Sequence, residues 1–235
     1  MFGLSTEETS FLLRPEGGAR VALISKESNV LKLFYTPGTC SLASHIALEE
    51  TGIDYTAAPV DFSKAEQTKP DYLAINPKGR VPALVTDRGT ITETPAILTY
   101  IAQSAPQAKL APLDDAFEFA RIQSFLSYLC STVHVAHAHG RRGSRWADDP
   151  AAHEAMRAKV ASNMTDCFEL IETRMLAGPF VTGDTYSIAD PYLFTIAGWL
   201  EPDGVDPTRF PKILDHRNRM TQRPAVARVL AVLKG

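Results

Sequence analysis

The chain changes its hydrophobic rhythm once, near residue 104, and that change constrains its architecture more than any single motif. Before it, short apolar runs alternate with turn residues. After it, strand-like alternation is almost absent and apolar residues recur at helical spacing. The earlier part opens with Val30-Leu-Lys-Leu-Phe-Tyr35, which stops at Thr36-Pro37-Gly38 and hands over to Cys40-Ser41-Leu42-Ala43-Ser44-His45-Ile46. This reads as strand, tight turn and helix, with Gly52 as the helix stop and a second short strand over 55–60. Two strands joined through a helix run parallel.

A polar stretch over 63–71 leads to Asn76-Pro77-Lys78-Gly79, which reads as punctuation rather than secondary structure. Val81-Pro82-Ala83-Leu84-Val85 and Thr90-Ile91-Thr92 then flank Thr86-Asp87-Arg88-Gly89, the pattern of an antiparallel hairpin. Thr94-Pro95 opens a helix expected to reach about Gln103. The order β-α-β, then β-β-α, is a thioredoxin-like plan. The Pro- and Ala-rich stretch 104–112 reads as a linker. Beyond it, apolar residues at 117, 119, 122, 125, 126, 129 and 133 predict a long helix from Asp115 to about His139. A second is expected from Ala151 to Leu176. Ser187 with Asp190 three residues later is a variant capping box before the apolar run Tyr192 to Leu200, and two shorter helices close the chain. The expected fold class is therefore α/β plus all-α: a thioredoxin-like domain over 30–108 and an all-helical domain over 115–235. Residues 1–29, with Glu7, Glu8, Glu16 and two glycines around Phe11-Leu12-Leu13, read as a poorly ordered arm.

The net charge of −3 over 235 residues argues against a general nucleic-acid or membrane-surface binder, which needs a basic excess to meet phosphates. No apolar stretch approaches the 18 residues of a membrane helix, and the first 29 residues lack the pattern of a secretory signal. Three widely spaced cysteines fit neither a metal spacing nor a disulfide framework, so a reducing cytoplasm is expected.

Cys40 stands where a helix begins, and a helix N-terminus carries roughly half a positive charge that favours a thiolate. It is a candidate reactive sulfur with a lowered pKa, the plain alternative being a small buried residue. With Ala43 three residues on there is no resolving thiol, which disfavours a dithiol redox cycle. Ser41 is placed to donate a hydrogen bond to a bound thiolate. In a thioredoxin-like fold the Cys40 helix start, the Val81-Pro82 junction and the Glu93-Thr94 helix start converge. Pro82, beginning a strand beside a reactive cysteine, is expected after a cis peptide bond, leaving Val81 to pair strand-like with a peptide ligand. Thr94 reads as an N-cap with Pro95 as the first helical residue, offering a hydroxyl and N–H groups to a carboxylate. Glu93 would pair with an amine, which suits an amino-acid end such as a γ-glutamyl group; the plain alternative is a capped helix preceded by a solvated acid. His134, His137 and His139 do not share one helical face, so no metal site is expected. Arg141, Arg142, Arg145 and Trp146 are either a surface cluster or a lip over the pocket, and Cys130 and Cys167 read as inert core.

Tyr35-Thr-Pro-Gly-Thr-Cys40-Ser41, Asn76-Pro-Lys-Gly-Arg-Val81-Pro82, Glu93-Thr94-Pro-Ala-Ile and Ser187-Ile-Ala-Asp190, in this order, strongly resemble bacterial beta-class glutathione transferases. The resemblance implies a homodimer with glutathione as co-substrate, no metal, and a helical domain lining the pocket for a small hydrophobic electrophile. It places the family's cysteine on Cys40, its backbone contact on Val81 and Pro82, its γ-glutamyl contacts on Glu93 and Thr94, and its histidine on His134. Tyr35 and Lys64 are further candidates for glutathione contact. Two departures bear on the glycine carboxylate of glutathione: Val135 and Ala65 stand where the family often has basic residues, leaving Lys64 or Arg145 as substitutes. The expected activity is conjugation, with cysteine-dependent thiol transfer or peroxide reduction possible at the same site. The alternatives are a non-catalytic scaffold of the same fold and a glutathione-dependent isomerase or dehalogenase.

Overall fold

The computed structural model describes residues 31–233. The expected arm over 1–29 lies outside them. Strands β1 (Leu31–Tyr35), β2 (Tyr55–Pro59), β3 (Ala83–Thr86) and β4 (Gly89–Thr92) form one sheet in the order β2-β1-β3-β4. β1 and β2 run parallel with Leu33 beside Ala57, and β1–β3 and β3–β4 are antiparallel with Leu84 beside Leu33 and Ile91. Helix α1 (Ser41–Thr51) joins the parallel pair and ends at Gly52, whose φ of 68° is the left-handed conformation that favours glycine at a helix stop. Helices α1 and α3 (Thr94–Ser104) pack against each other. Between the start of the polar stretch and the 76–79 turn lies a short helix, α2 (Pro70–Leu73), which single-turn length hides from periodicity.

The helical half comprises α4 (Ala116–Tyr128), α5 (His134–Ala138), α6 (Pro150–Leu170), α7 (Ala189–Ala197), α8 (Pro211–Thr221) and α9 (Pro224–Val232). The long helix expected from Asp115 begins as read, with the Asp115 carboxylate accepting from the N–H groups of Phe117 and Glu118 at 3.0 Å. It is not uniform, because a π-helical turn over Leu129–Val133 separates α4 from α5. α6 likewise passes into a π-helical turn over Ile171–Met175.

The two halves share one apolar core running from Leu33, Leu84 and Ile97 to Phe125, Phe168 and Ile196. α1 is the joint: it contacts α3 on one side and α7 and α9 on the other. That explains why Ser44, His45, Ile46, Ala47 and Leu48 are all buried, so that the helix shows no single apolar stripe. The stretch 104–112 is not a free linker: Ala105 is fully buried, Leu110 is buried, and the Leu110 carbonyl accepts from the Ile188 N–H at 2.8 Å. The α1 and α9 ends are tied by Arg223, whose guanidinium donates to both oxygens of Glu50 at 2.6 and 3.0 Å while lying 3.7 Å over the Tyr186 ring.

The Ser187–Asp190 signal also holds, and carries more than a cap. Asp190 is fully buried and accepts from Ser187 N–H at 2.7 Å and from Val181 N–H at 2.8 Å, with His216 Nε2 3.1 Å away. One carboxylate thus joins the start of α7, the loop before it and α8. No helix among the described residues is long and apolar enough to cross a membrane.

Candidate active site

Three loops of the sheet half end at one cleft of about 600 Å³, closed on the far side by α5, the turn after it and α7. The first loop is the β1–α1 turn. Thr36 N–H donates to Ser41 Oγ at 3.1 Å, Thr39 Oγ1 donates to the Thr36 carbonyl at 2.8 Å, and Thr39 Oγ1 lies 2.7 Å from Ser41 Oγ. This network fixes the entry to α1 and sets Cys40 at the cleft floor. It also consumes Ser41, which is fully buried and does not line the cleft, correcting the expectation that its hydroxyl faces a bound thiolate.

The second loop precedes β3. Tyr72 Oη and Asn76 Nδ2 both donate to the Arg80 carbonyl, at 2.7 and 2.6 Å, and Gly79 N–H donates to the Asn76 carbonyl. Gly79 has φ 60°, and a Cβ there would stand 3.0 Å from the Gln67 carbonyl oxygen, so the tight turn requires glycine. Arg80, Val81 and Pro82 therefore reach the cleft in a fixed order, with the Val81–Pro82 peptide cis as expected.

The third loop enters α3. Here the helix start is displaced by one residue from the sequence reading: Thr94 is the first helical residue and Glu93, at φ 73°, precedes it. The left-handed turn at Glu93 removes the cap geometry expected of Thr94 and turns the buried Thr94 side chain toward Cys40. Glu93 is not vacant: Lys78 Nζ pairs with its carboxylate and donates to Thr92 Oγ1 at 2.6 Å.

Cys40 itself departs from expectation. Its thiol pKa is pushed up to about 11, chiefly by burial, with Glu93 and Cys130 adding and the Thr94 hydroxyl and a backbone N–H opposing. A helix terminus contributes within about 1 kcal/mol, less than one pKa unit, whereas full burial moves a group by several units, so burial wins. Cys40 is 8% exposed, and its thiol donates to the Val81 carbonyl at 3.6 Å.

On the helical side, Cys130, His134, His137 and Arg141 line the cleft from α5 and its flanking turns. Cys130 is therefore a cleft residue and not inert core. His134 lines the cleft, and its imidazole is held down to about 4 by burial first and then by His137, Arg145 and Arg80. His137 stacks on Trp199 with ring centroids 4.2 Å apart, and its Nδ1 lies 2.7 Å from the buried Asp203 carboxylate. Arg142, Arg145 and Trp146 form the lip, with the Arg142 guanidinium 5.9 Å from the Phe62 ring. Among the described residues no group of three or more His, Cys, Asp and Glu is placed to hold a metal ion.

Two other expected contacts fall away. Tyr35 is buried against the His45 ring, 5.0 Å between centroids, and does not line the cleft. Lys64 is exposed and paired with Asp61 at 3.0 Å, outside the cleft. The residues missed from sequence are Arg80, Tyr192, His137 with Asp203, and Trp199. Arg80 carried a usable signal, since it adjoins Val81; the other three reach the cleft through tertiary packing, which periodicity does not encode.

Residues 29–103 match the glutathione S-transferase N-terminal domain family and residues 146–231 match the C-terminal domain family. The chain is 34% identical over 204 residues to glutathione S-transferase GstA of Escherichia coli O157:H7, covering 86% of this chain and 98% of that one. A Sulfitobacter glutathione transferase homologue solved with bound glutathione is 50% identical with a TM-score of 0.84, over 86% of this chain and 98% of its own. A bacterial beta-class glutathione S-transferase of Sphingomonas chungbukensis is 37% identical with a TM-score of 0.76, over 86% and 98% of the two chains.

Proposed function

The chain belongs to the glutathione S-transferase family, and on that premise we propose that its cleft binds reduced glutathione along the sheet half and joins the sulfur to a small electrophile held by the helical half. The observation that carries this division is the convergence of Cys40, Val81-Pro82 and Glu93-Thr94 on one cleft wall, opposite His134, His137 and Trp199. The γ-glutamyl ammonium pairs with Glu93 and its carboxylate lies at the N-terminus of α3 by Thr94. The cysteinyl backbone pairs strand-like with Val81. The glycine carboxylate, one residue further along, falls to Arg80, which adjoins Val81, rather than to Lys64 or to Arg145.

Cys40 takes a different part from the one its position suggests. A thiol pushed up to about 11 is protonated at neutral pH, so it is a hydrogen-bond donor and not a nucleophile. When the Val81 carbonyl accepts the cysteinyl N–H of glutathione, the Cys40 S–H is released to donate to the glutathione thiolate. The neutral His134 adds an uncharged donor or acceptor beside the same sulfur. The glutathione thiol gives up its proton to solvent, and the thiolate then attacks the electrophilic carbon: the S–C bond forms, and the leaving group departs with its electron pair, or the adduct carbanion takes a proton from water.

The family kinship also supports a homodimer, which light scattering at twice the chain mass would bear out. The three cysteines are free thiols, which suits the cytoplasm. Calorimetric titration with reduced glutathione tests the reading. Saturable binding that weakens on Glu93→Gln supports it; no binding by the intact protein rejects it in favour of a non-catalytic scaffold.

A further inference from the structure

The cleft carries more positive charge than glutathione can use. Its lining holds four guanidinium groups, Arg80, Arg141, Arg142 and Arg145, against a single carboxylate, Glu93. Among the described residues no salt bridge joins any of the four to a carboxylate. This concentration occurs in a chain of net charge −3, so it is a local feature. In the reading above, which this inference rests on and deepens, Glu93 takes the ammonium, the α3 terminus one carboxylate and Arg80 the other. Arg141, Arg142 and Arg145 are left over, the last two on the lip of the electrophile half.

They are held there. The turn that carries them packs on α6 through Gly143, where a Cβ would come 2.9 Å from the His153 ring. His153 Nε2 lies 2.6 Å from the Ala147 carbonyl oxygen, and Arg157 Nε donates to the Gly140 carbonyl at 3.1 Å. The Arg145 guanidinium is lowered from its ordinary value first by burial and then by the like charges of Arg80 and Arg142. Cations kept close on a fixed turn, with no salt bridge to a carboxylate among the described residues, form a preorganised anion site. Its neighbours are flat: Phe62, Trp146, and the Trp199–His137 stack.

We propose that the second substrate is a small organic anion, an aromatic or unsaturated electrophile bearing a carboxylate that Arg142 and Arg145 bind. The reacting carbon then points from the lip toward the glutathione sulfur above Cys40.

The test uses 4-chloro-3-nitrobenzoate and its neutral methyl ester with the full chain and reduced glutathione. In both, the thiolate forms the S–C bond and chloride leaves with the C–Cl electron pair. Each kcat/KM is normalised to the uncatalysed rate. The benzoate is expected to be favoured by about tenfold or more, the scale of a charge-assisted pair. The preference should fall toward unity in Arg142→Gln/Arg145→Gln, through KM, and return in part in Arg142→Lys/Arg145→Lys, with glutathione affinity held in both. Both arginines are solvent-exposed, so folding is not at stake. Equal treatment of the two probes, or a preference that survives the double substitution, overturns the proposal. So does a loss that appears in glutathione affinity instead. Titration of the benzoate alone separates the two readings: arginine-dependent binding of it by a protein that failed to bind glutathione would leave the anion site standing and the glutathione reading rejected.

Discussion

The Cys40 thiol donates to the Val81 carbonyl oxygen at 3.6 Å, so in the free protein the two groups best placed to meet a thiol peptide satisfy each other. Each is buried to within 8% exposure, and each becomes available only when a ligand replaces the other. A hydrogen-bond exchange of this kind costs little, because one partner is traded for another and none is left bare.

A protonated Cys40 has a kinetic signature. With its pKa pushed up to about 11, the thiolate fraction at pH 7 is on the order of one in ten thousand. Alkylation of Cys40 by iodoacetamide, measured in Cys130→Ala to remove the other cleft thiol, should rise about tenfold per pH unit through pH 10. A rate that levels off below pH 8 would show a depressed thiol and sink the donor role.

His134 predicts a pH dependence of stability. Its folded pKa of about 4 lies below the 6.5 of an unhindered imidazole, so the unfolded chain binds the extra proton between those values. The stabilisation is fully present above pH 6.5 and is lost as pH falls through 4, amounting to about 3 kcal/mol. His45, lowered by burial, adds to the same window. Denaturant midpoints between pH 7 and 4.5 should therefore fall steeply in the native chain and less steeply in His134→Asn. Parallel curves would mean that the imidazole is not desolvated.

Much of this architecture was legible because its signals are local. The β1 run, the Gly52 stop, the 86–89 turn and the Asp115 cap each act within a few residues, and each lies where the pattern put it. The site was less legible wherever two opposing effects had to be weighed in three dimensions. The sequence shows Cys40 at a helix start but not the burial that outweighs the helix field. It shows Ser41 beside the thiol but not the Thr36–Thr39 network that turns it away. Lys64 carries the right charge, yet the neighbouring Asp61 claims it. His137 and Asp203 are 66 residues apart, and no pattern joins them before α5 and the turn after α7 meet.

Asp190 anchors the helical half, and its removal should be among the most damaging single changes. Replacing the fully buried carboxylate by Asn puts an amide donor against donors already present at Ser187 and Val181. A loss of about 3 kcal/mol or more is expected in Asp190→Asn by chemical denaturation. A loss under about 1 kcal/mol would mean that the network is not a structural joint.

The pairing of Lys78 with Glu93 sets up opposite effects from its two members. Lys78 holds the carboxylate in the free protein, so a bound ammonium must compete with it for the same oxygens. The pair is exposed, with Lys78 and Glu93 side chains 44% and 59% accessible, so its own strength is within about 1 kcal/mol. Lys78→Met should therefore tighten glutathione binding about two- to fivefold. Glu93→Gln removes the charge the ammonium needs and should weaken binding about tenfold or more. Calorimetric affinities of the two variants, compared with the native chain, distinguish competition from orientation. Weaker binding by both would mean that Lys78 serves to aim Glu93, and that the two cations share the carboxylate when glutathione is bound.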